Sequence, residues 1–263
     1  MKREAIMKDT IFDYENPNLW SHHIDKIMKK HLDEEDIKSL LDMSTKDNRY
    51  IEIEDIYEIS SEDIFYDIKR YLNENDCYVL LYHATATNNI KPFLEKGLCK
   101  LNSSEKNKYA RELFNQEEFP ELTDEVFEKA LKEHMEYLGM ELREHRISFM
   151  TNKKHLLENE THYLVYGSEY IFILSQRLGY TYKSVLREKL KPTLLTCKVP
   201  FNQLNYDFQE MTIKNVIIKY VENLIYPNEI YENDAEIYIH SNLDAKHIIK
   251  YEHPENVTCT KFF

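Results

Sequence analysis

Residues 80–98, reading LLYHATATNNIKPFLEKGL, restrict the fold more than any other stretch of the chain. An apolar run over 78–82 reads as a strand that delivers His83 at its end. The small polar residues Ala84-Thr85-Ala86-Thr87 then read as a turn. Ile90, Phe93 and Leu94 recur at helical spacing, and Gly97 stands where such a helix would stop. The expectation is strand, turn and helix, with an imidazole at the strand's mouth. A helix start placed there could hold a ligand against its backbone N–H groups.

Composition sets the outer limits. A chain of 263 residues can build one large core, or a core with an accessory piece. Its 42% hydrophobic and 31% charged residues fit a soluble globular protein, and twenty Tyr with twelve Phe point to an aromatic core. No apolar stretch approaches the roughly 20 residues that span a bilayer. The opening residues MKREAIMKDTIFDYENP lack the apolar segment of a secretory signal. A cytoplasmic protein without a membrane partner is therefore expected. Cys77, Cys99, Cys197 and Cys259 form no CxxC and no zinc spacing, and read as reduced, mostly buried thiols without a metal.

The net charge of −13 argues against non-specific nucleic-acid binding, although Lys106, Lys108, Arg111, Arg143 and Arg146 could form a local basic groove. The only glycines are Gly97, Gly139, Gly167 and Gly179, about a quarter of average usage. That count excludes the P-loop and the dinucleotide GxGxxG fingerprint, and neither HExxH, GxSxG nor an EF-hand loop occurs.

Residues 1–74 read as an N-terminal helical region. Ile24, Ile27, Met28 and His31 share one helical face, and Ile37, Leu40 and Leu41 continue in a second short helix. Ser60 with Asp63 makes a capping-box pattern before Ile64, Phe65, Ile68, Tyr71 and Leu72. These helices are expected to cap the main domain; docking of a regulatory partner, or autoinhibition, is the alternative role. A second domain is expected over 75–263, with 101–144 as a helical insertion. In the insertion, 102–108 reads as a polar linker and Thr123 as an N-cap, with Asp124 and Glu125 in the first helical turn. Val126, Phe127, Ala130, Leu131, Met135 and Leu138 supply its apolar stripe. Strands are expected at 145–150, at 193–199 with Pro200 stopping the run, at 211–220, at 235–240 and at 247–251. Gly167-Ser168 opens a helix over 169–178 that ends at Gly179.

Three separated pieces resemble, in the right order, the motifs of the ADP-ribosyltransferases of poly(ADP-ribose) polymerase-like or diphtheria-toxin-like type. Leu81-Tyr82-His83-Ala84-Thr85, followed by Ile90 and Gly97-Leu98, is similar to the first motif, a strand ending in His, a small residue and a hydroxyl residue before a helix ending Gly-Leu. Arg146-Ile147-Ser148-Phe149 resembles the second core strand. Ala235-Glu236-Ile237-Tyr238-Ile239-His240, then Ile248-Ile249-Lys250, resembles the last motif, in which a Glu opens a strand of alternating apolar residues. The resemblance covers residues 76–263 apart from the insertion. It implies an α+β fold, a split antiparallel β-sandwich with helices, that binds NAD as co-substrate in its cleft and needs no metal. Two positions depart from the pattern. Ser148 stands where the His class usually carries tyrosine, so the set is His-Ser-Glu unless Tyr163, Tyr166 or Tyr170 supplies the ring. Ala84 replaces a usual glycine, which suffices if the nicotinamide needs only its backbone amide.

By this resemblance, Glu236, His83 and Ser148 are the candidate catalytic residues. His83 would hydrogen-bond a ribose hydroxyl of NAD, and Glu236 would accept the 2′-OH of the nicotinamide ribose and orient the acceptor. Ser148 would orient Glu236 through its hydroxyl. The backbone at Ala84, supported by Thr85, would pair with the carboxamide, and Tyr163 or Tyr166 would stack on the nicotinamide. The implied activity is mono-ADP-ribosyl transfer to a cytosolic macromolecule, a protein more readily than a nucleic acid, in the manner of bacterial toxins and antiphage effectors. The alternatives are an NAD glycohydrolase with water as acceptor, an RNA 2′-phosphotransferase with a basic cleft, and a non-catalytic domain that binds a nucleotide or a partner. His22-His23, His134 and His145 have no partners at ligand spacing and read as surface or core histidines.

Overall fold

The computed structural model describes residues 9–47, 50–100, 102–115, 117–138, 145–227 and 235–259. Among these residues the chain is α+β, with twelve α-helices and six strands. Contacts divide it into two units, Met1–Leu81 with Lys198–Ala235, and Tyr82–Cys197 with Glu236–Phe263. A linear boundary at residue 75 does not describe this division, because the segment after residue 197 joins the N-terminal helices. Among the described residues, no helix is long and apolar enough to cross a membrane.

In the first unit, α1 (Ser21–His31), α2 (Glu34–Asp47), α3 (Ile53–Ile59) and α4 (Asp63–Glu74) accompany α12 (Tyr206–Ile225). Helix α12 touches α2, α3 and α4. The β-branched run within it reads as a strand from sequence, and the structure corrects that reading. Ile213, Val216, Ile217, Tyr220 and Val221 recur at helical spacing and are all buried, and the Asn205 side chain accepts a hydrogen bond from the Phe208 N–H at the first turn. Tertiary burial here outweighs β propensity. The capping box also falls elsewhere. Ser60 terminates α3, its N–H bonded to the Ile56 carbonyl, whereas Glu52 and Asp55 form a reciprocal box at the start of α3. Helices α1 and α4 are tied at Asp67, which takes hydrogen bonds from Lys30 and His31 at 2.6 and 2.9 Å and has its pKa lowered to about 2 as a result. Strand β1 (Ile11–Phe12) pairs in parallel with the first residues of β2 (Tyr78–Thr87).

The second unit carries β3 (Ile147–Met150), β5 (Glu236–Ile239), β6 (Ile248–Glu252) and most of β2 and β4 (Lys191–Pro200). The sheet order is β5-β3-β2-β4-β6, and the pairs β2–β3, β3–β5 and β4–β6 are antiparallel. The expected split sandwich is thus one open sheet among the described residues: β5 bonds to β3 and β6 to β4, so the C-terminal strands lengthen a single layer at both ends. Strand β2 also runs further than expected. Its ladder continues through Thr87, so residues 84–87 are strand and His83 lies inside it, not at its end. Alternation decides the faces of β3 and β5. Ile147, Phe149, Ile237 and Ile239 are buried, while Ser148, Met150, Tyr238 and Glu236 lie on the more open side.

Helices α5 (Lys91–Lys96), α6 (Ser103–Leu113), α7 (Asp124–Leu138), α8 (Lys153–Glu158), α9 (His162–Tyr166), α10 (Glu169–Leu178) and α11 (Tyr180–Lys189) complete this unit. The expected polar linker at 102–108 is instead the cap and first turns of α6, where the Asn102 side chain accepts from the Glu105 N–H. Thr123 caps α7 as expected, and Ser168 and Gly179 bound α10. Phe114, Phe127, Tyr166, Phe172, Leu174 and Leu186 belong to one buried cluster among these helices. Met135 and Leu138, assigned to the apolar stripe of α7, have side chains outside the described residues. Gly97 ends α5 at φ +82°, and a Cβ there would lie 1.9 Å from the Leu243 carbonyl oxygen. That close approach lets Leu98 and Leu243 exchange backbone hydrogen bonds of 2.9 Å each.

Candidate functional site

A cleft of about 560 Å³ opens within the second unit. His83, Ala84 and Thr85 reach it from β2, Ser148 from β3, Tyr163 from α9 and Glu236 from the first residue of β5. The three strands lie far apart in the chain, and the antiparallel sheet brings their residues to one rim, which Tyr163 joins from α9. The register pairs Ser148 with Tyr238 and Met150 with Glu236.

His83 is held by the main chain. Its Nδ1–H donates to the Ser148 carbonyl oxygen at 2.8 Å, and its ring lies edge-on to Phe149 with centroids 5.9 Å apart. Burial pushes its pKa below the ordinary imidazole value; the bond to Ser148 opposes this and the Lys106 charge reinforces it. A neutral ring that donates from Nδ1 leaves Nε2 as an acceptor.

Ser148 takes a different part from the one expected. Among the described residues its hydroxyl makes no hydrogen bond to Glu236. The carboxylate lies opposite Met150 in the register, one pleat away from the Ser148–Tyr238 pair. What Ser148 contributes is the carbonyl that orients His83. Glu236 is exposed and, among the described residues, has no ion-pair or hydrogen-bond partner. No hydrogen bond joins it to His83, with which it shares the cleft. Thr85 is buried within the strand instead of exposed in a turn.

The tyrosines separate sharply. Tyr163 borders the cleft, half-buried, its ring 4.0 Å from that of His162. Tyr166 does not reach the cleft and is corrected as a candidate. It is fully buried, stacked on Phe172 at 4.5 Å, and its hydroxyl accepts from Arg187 at 2.6 Å. Tyr163 thus sits at the rim, whereas Tyr166, the last residue of α9, packs into the core. Tyr170 does border the cleft, with its hydroxyl donating to Asn107 on α6.

The expected basic groove is dispersed. Arg111 pairs with Asp124 at 3.0 Å and with Glu128, and lies over the Phe127 ring. Lys108 is exposed and off the cleft, and Arg143 lies outside the described residues. Lys106 and Arg146 do border the cleft, joined by Lys96 and Lys100, which sequence reasoning did not single out. His162 and the exposed thiol of Cys99 are further lining groups it missed. No local signal marks them, since α6 and the loop after Gly97 are placed by tertiary contacts. Among the described residues, no group of three or more His, Cys, Asp or Glu side chains is arranged to hold a metal.

Comparison with protein-family models, with curated proteins and with solved structures gives no match to this chain.

Proposed function

We propose that the second unit is an NAD-dependent ADP-ribosyltransferase. The observation that carries the reading is that His83 and Ala84 from β2, Ser148 from β3, Tyr163 from α9 and Glu236 from β5 border a single cleft of about 560 Å³. That volume lies within the usual range of cofactor and substrate sites, roughly 300–1,000 Å³. The donor set also suits the substrate. A neutral His83 with Nε2 free to accept matches a ribose hydroxyl, and an exposed, unpaired carboxylate matches a centre that becomes positively charged.

The reaction breaks the bond between nicotinamide and its ribose, with positive charge developing on the sugar as in glycoside hydrolysis. Glu236 accepts the ribose 2′-OH and stabilises that charge. His83 accepts a second ribose hydroxyl, and the Ser148 carbonyl keeps its ring in the accepting tautomer. The backbone at Ala84 pairs with the carboxamide, and the Tyr163 ring covers the nicotinamide face. The exposure of Glu236 also admits water to the reacting face, which favours NAD glycohydrolysis as a second reading.

Incubation with NAD labelled in the ADP-ribose moiety and a cell lysate tests both. Label attached to a macromolecule supports transfer. Free ADP-ribose alone supports hydrolysis, and intact NAD with no nicotinamide released rejects both.

A further inference from the structure

We propose that Lys106, with Lys96, Lys100 and Arg146 around the same rim, forms a subsite for the diphosphate group of a nucleotide. The chain has 34 basic against 47 acidic residues, so an average basic side chain has carboxylates to spare nearby. Some cations elsewhere use them: Lys153 is 2.5 Å from Glu252 and Lys219 is 2.9 Å from Glu222. The four cations at the cleft form no ion pair among the described residues, and Arg146 instead lies over the Tyr238 ring at 4.7 Å. Of the carboxylates on this rim, Glu160 is directed to His162 at 3.2 Å.

Lys106 is distinguished by its support. It is half-buried on the first turns of α6. That helix is capped by Asn102, tied to α7 through Arg111, and tied to α10 by the hydrogen bond from Tyr170 to Asn107. Burial pushes its ammonium pKa down, with Glu105 and Cys99 opposing. A partly desolvated ammonium without a carboxylate is costly, and an anionic ligand removes that cost. The helix fixes the group in advance, so little ordering is left for binding. The nucleotide's identity as NAD rests on the proposed transferase reading; recognition of the diphosphate does not.

The test compares calorimetric binding of ADP and of adenosine to the full chain, its Lys106→Gln variant and its Lys106→Arg variant. ADP should bind the unmodified protein at least about tenfold more tightly than adenosine, and Lys106→Gln should remove roughly tenfold of ADP affinity. Adenosine affinity should not change, and Lys106→Arg should keep most of the ADP binding. A second readout needs no variant: ADP binding should weaken with added salt while adenosine binding does not. Equal ADP affinity in the Lys106→Gln and unmodified proteins, or salt-insensitive ADP binding, overturns the subsite. The two readings fail separately. NAD turnover with ADP affinity independent of Lys106 rejects the subsite alone, whereas Lys106-dependent ADP binding without NAD turnover rejects the transferase alone.

Discussion

An imidazole whose Nδ1–H is committed to a carbonyl can offer only Nε2 to a ligand, and only as an acceptor while the ring is neutral. His83 is in that position, and the pKa that governs it lies below the ordinary imidazole value because the ring is buried. The working form therefore persists to lower pH than a free histidine would allow. On account of His83, kcat/KM for NAD should be flat above neutrality and fall only below about pH 6.5. His83→Leu should lower it at least about tenfold; a nicotinamide-release assay across pH checks both. His134 makes a separate prediction. It is buried on α7 against the edge of Tyr170, with no hydrogen-bond partner for either ring nitrogen among the described residues. Burial, with the nearby charge of Arg177, pushes its pKa down to about 4. Between that value and the unfolded one near 6.5, the unfolded chain binds a proton that the folded chain refuses. Stability is accordingly full above about pH 6.5 and declines by roughly 1–3 kcal/mol as the pH falls toward 4. Urea melts at several pH values should show this slope, and His134→Leu should flatten it; an unchanged slope would acquit His134.

At the scale of elements, Gly97 joins the site to its scaffold. The positive φ and the 1.9 Å approach to the Leu243 carbonyl leave no place for a side chain. Gly97→Ala should cost at least about 1–2 kcal/mol and lower the melting temperature by several degrees; a variant that melts with the parent would contradict the clamp. Elements with local signals were legible in the sequence. Ser168 and Gly179 bound α10, Thr123 caps α7, and Pro200 is the last residue of β4. Where local signals compete, the sequence misleads. The small polar residues 84–87 resemble a turn, yet the sheet extends β2 through them, and α12 forms from a β-branched run because its apolar side chains are buried. The candidate site followed the same division. The resemblance named His83, Ala84, Ser148 and Glu236, and these residues border one cleft. The choice between Tyr163 and Tyr166, and the arrival of Lys106 on an inserted helix, depend on packing that no short motif encodes.

Across the molecule, the same acidic chain that disfavours nucleic acid in bulk places at one cleft four cations that form no ion pair among the described residues. Net charge thus describes the surface, and the cleft follows its own chemistry. The division into two units, each made of two separated stretches, explains why residues 198–235 read as part of the sheet domain: the long helix in that stretch follows a strand and precedes a strand, yet its contacts are with the N-terminal helices. On the proposed function, an imidazole from β2 and a carboxylate from β5 act on one dinucleotide in the cleft of the second unit. The decisive test is release of nicotinamide from NAD by the unmodified chain and by Glu236→Gln, with folding followed by circular dichroism. The unmodified chain should release nicotinamide measurably, and the variant should lose roughly 100-fold or more while remaining folded. Equal release by both proteins, or none by the unmodified chain, would contradict it.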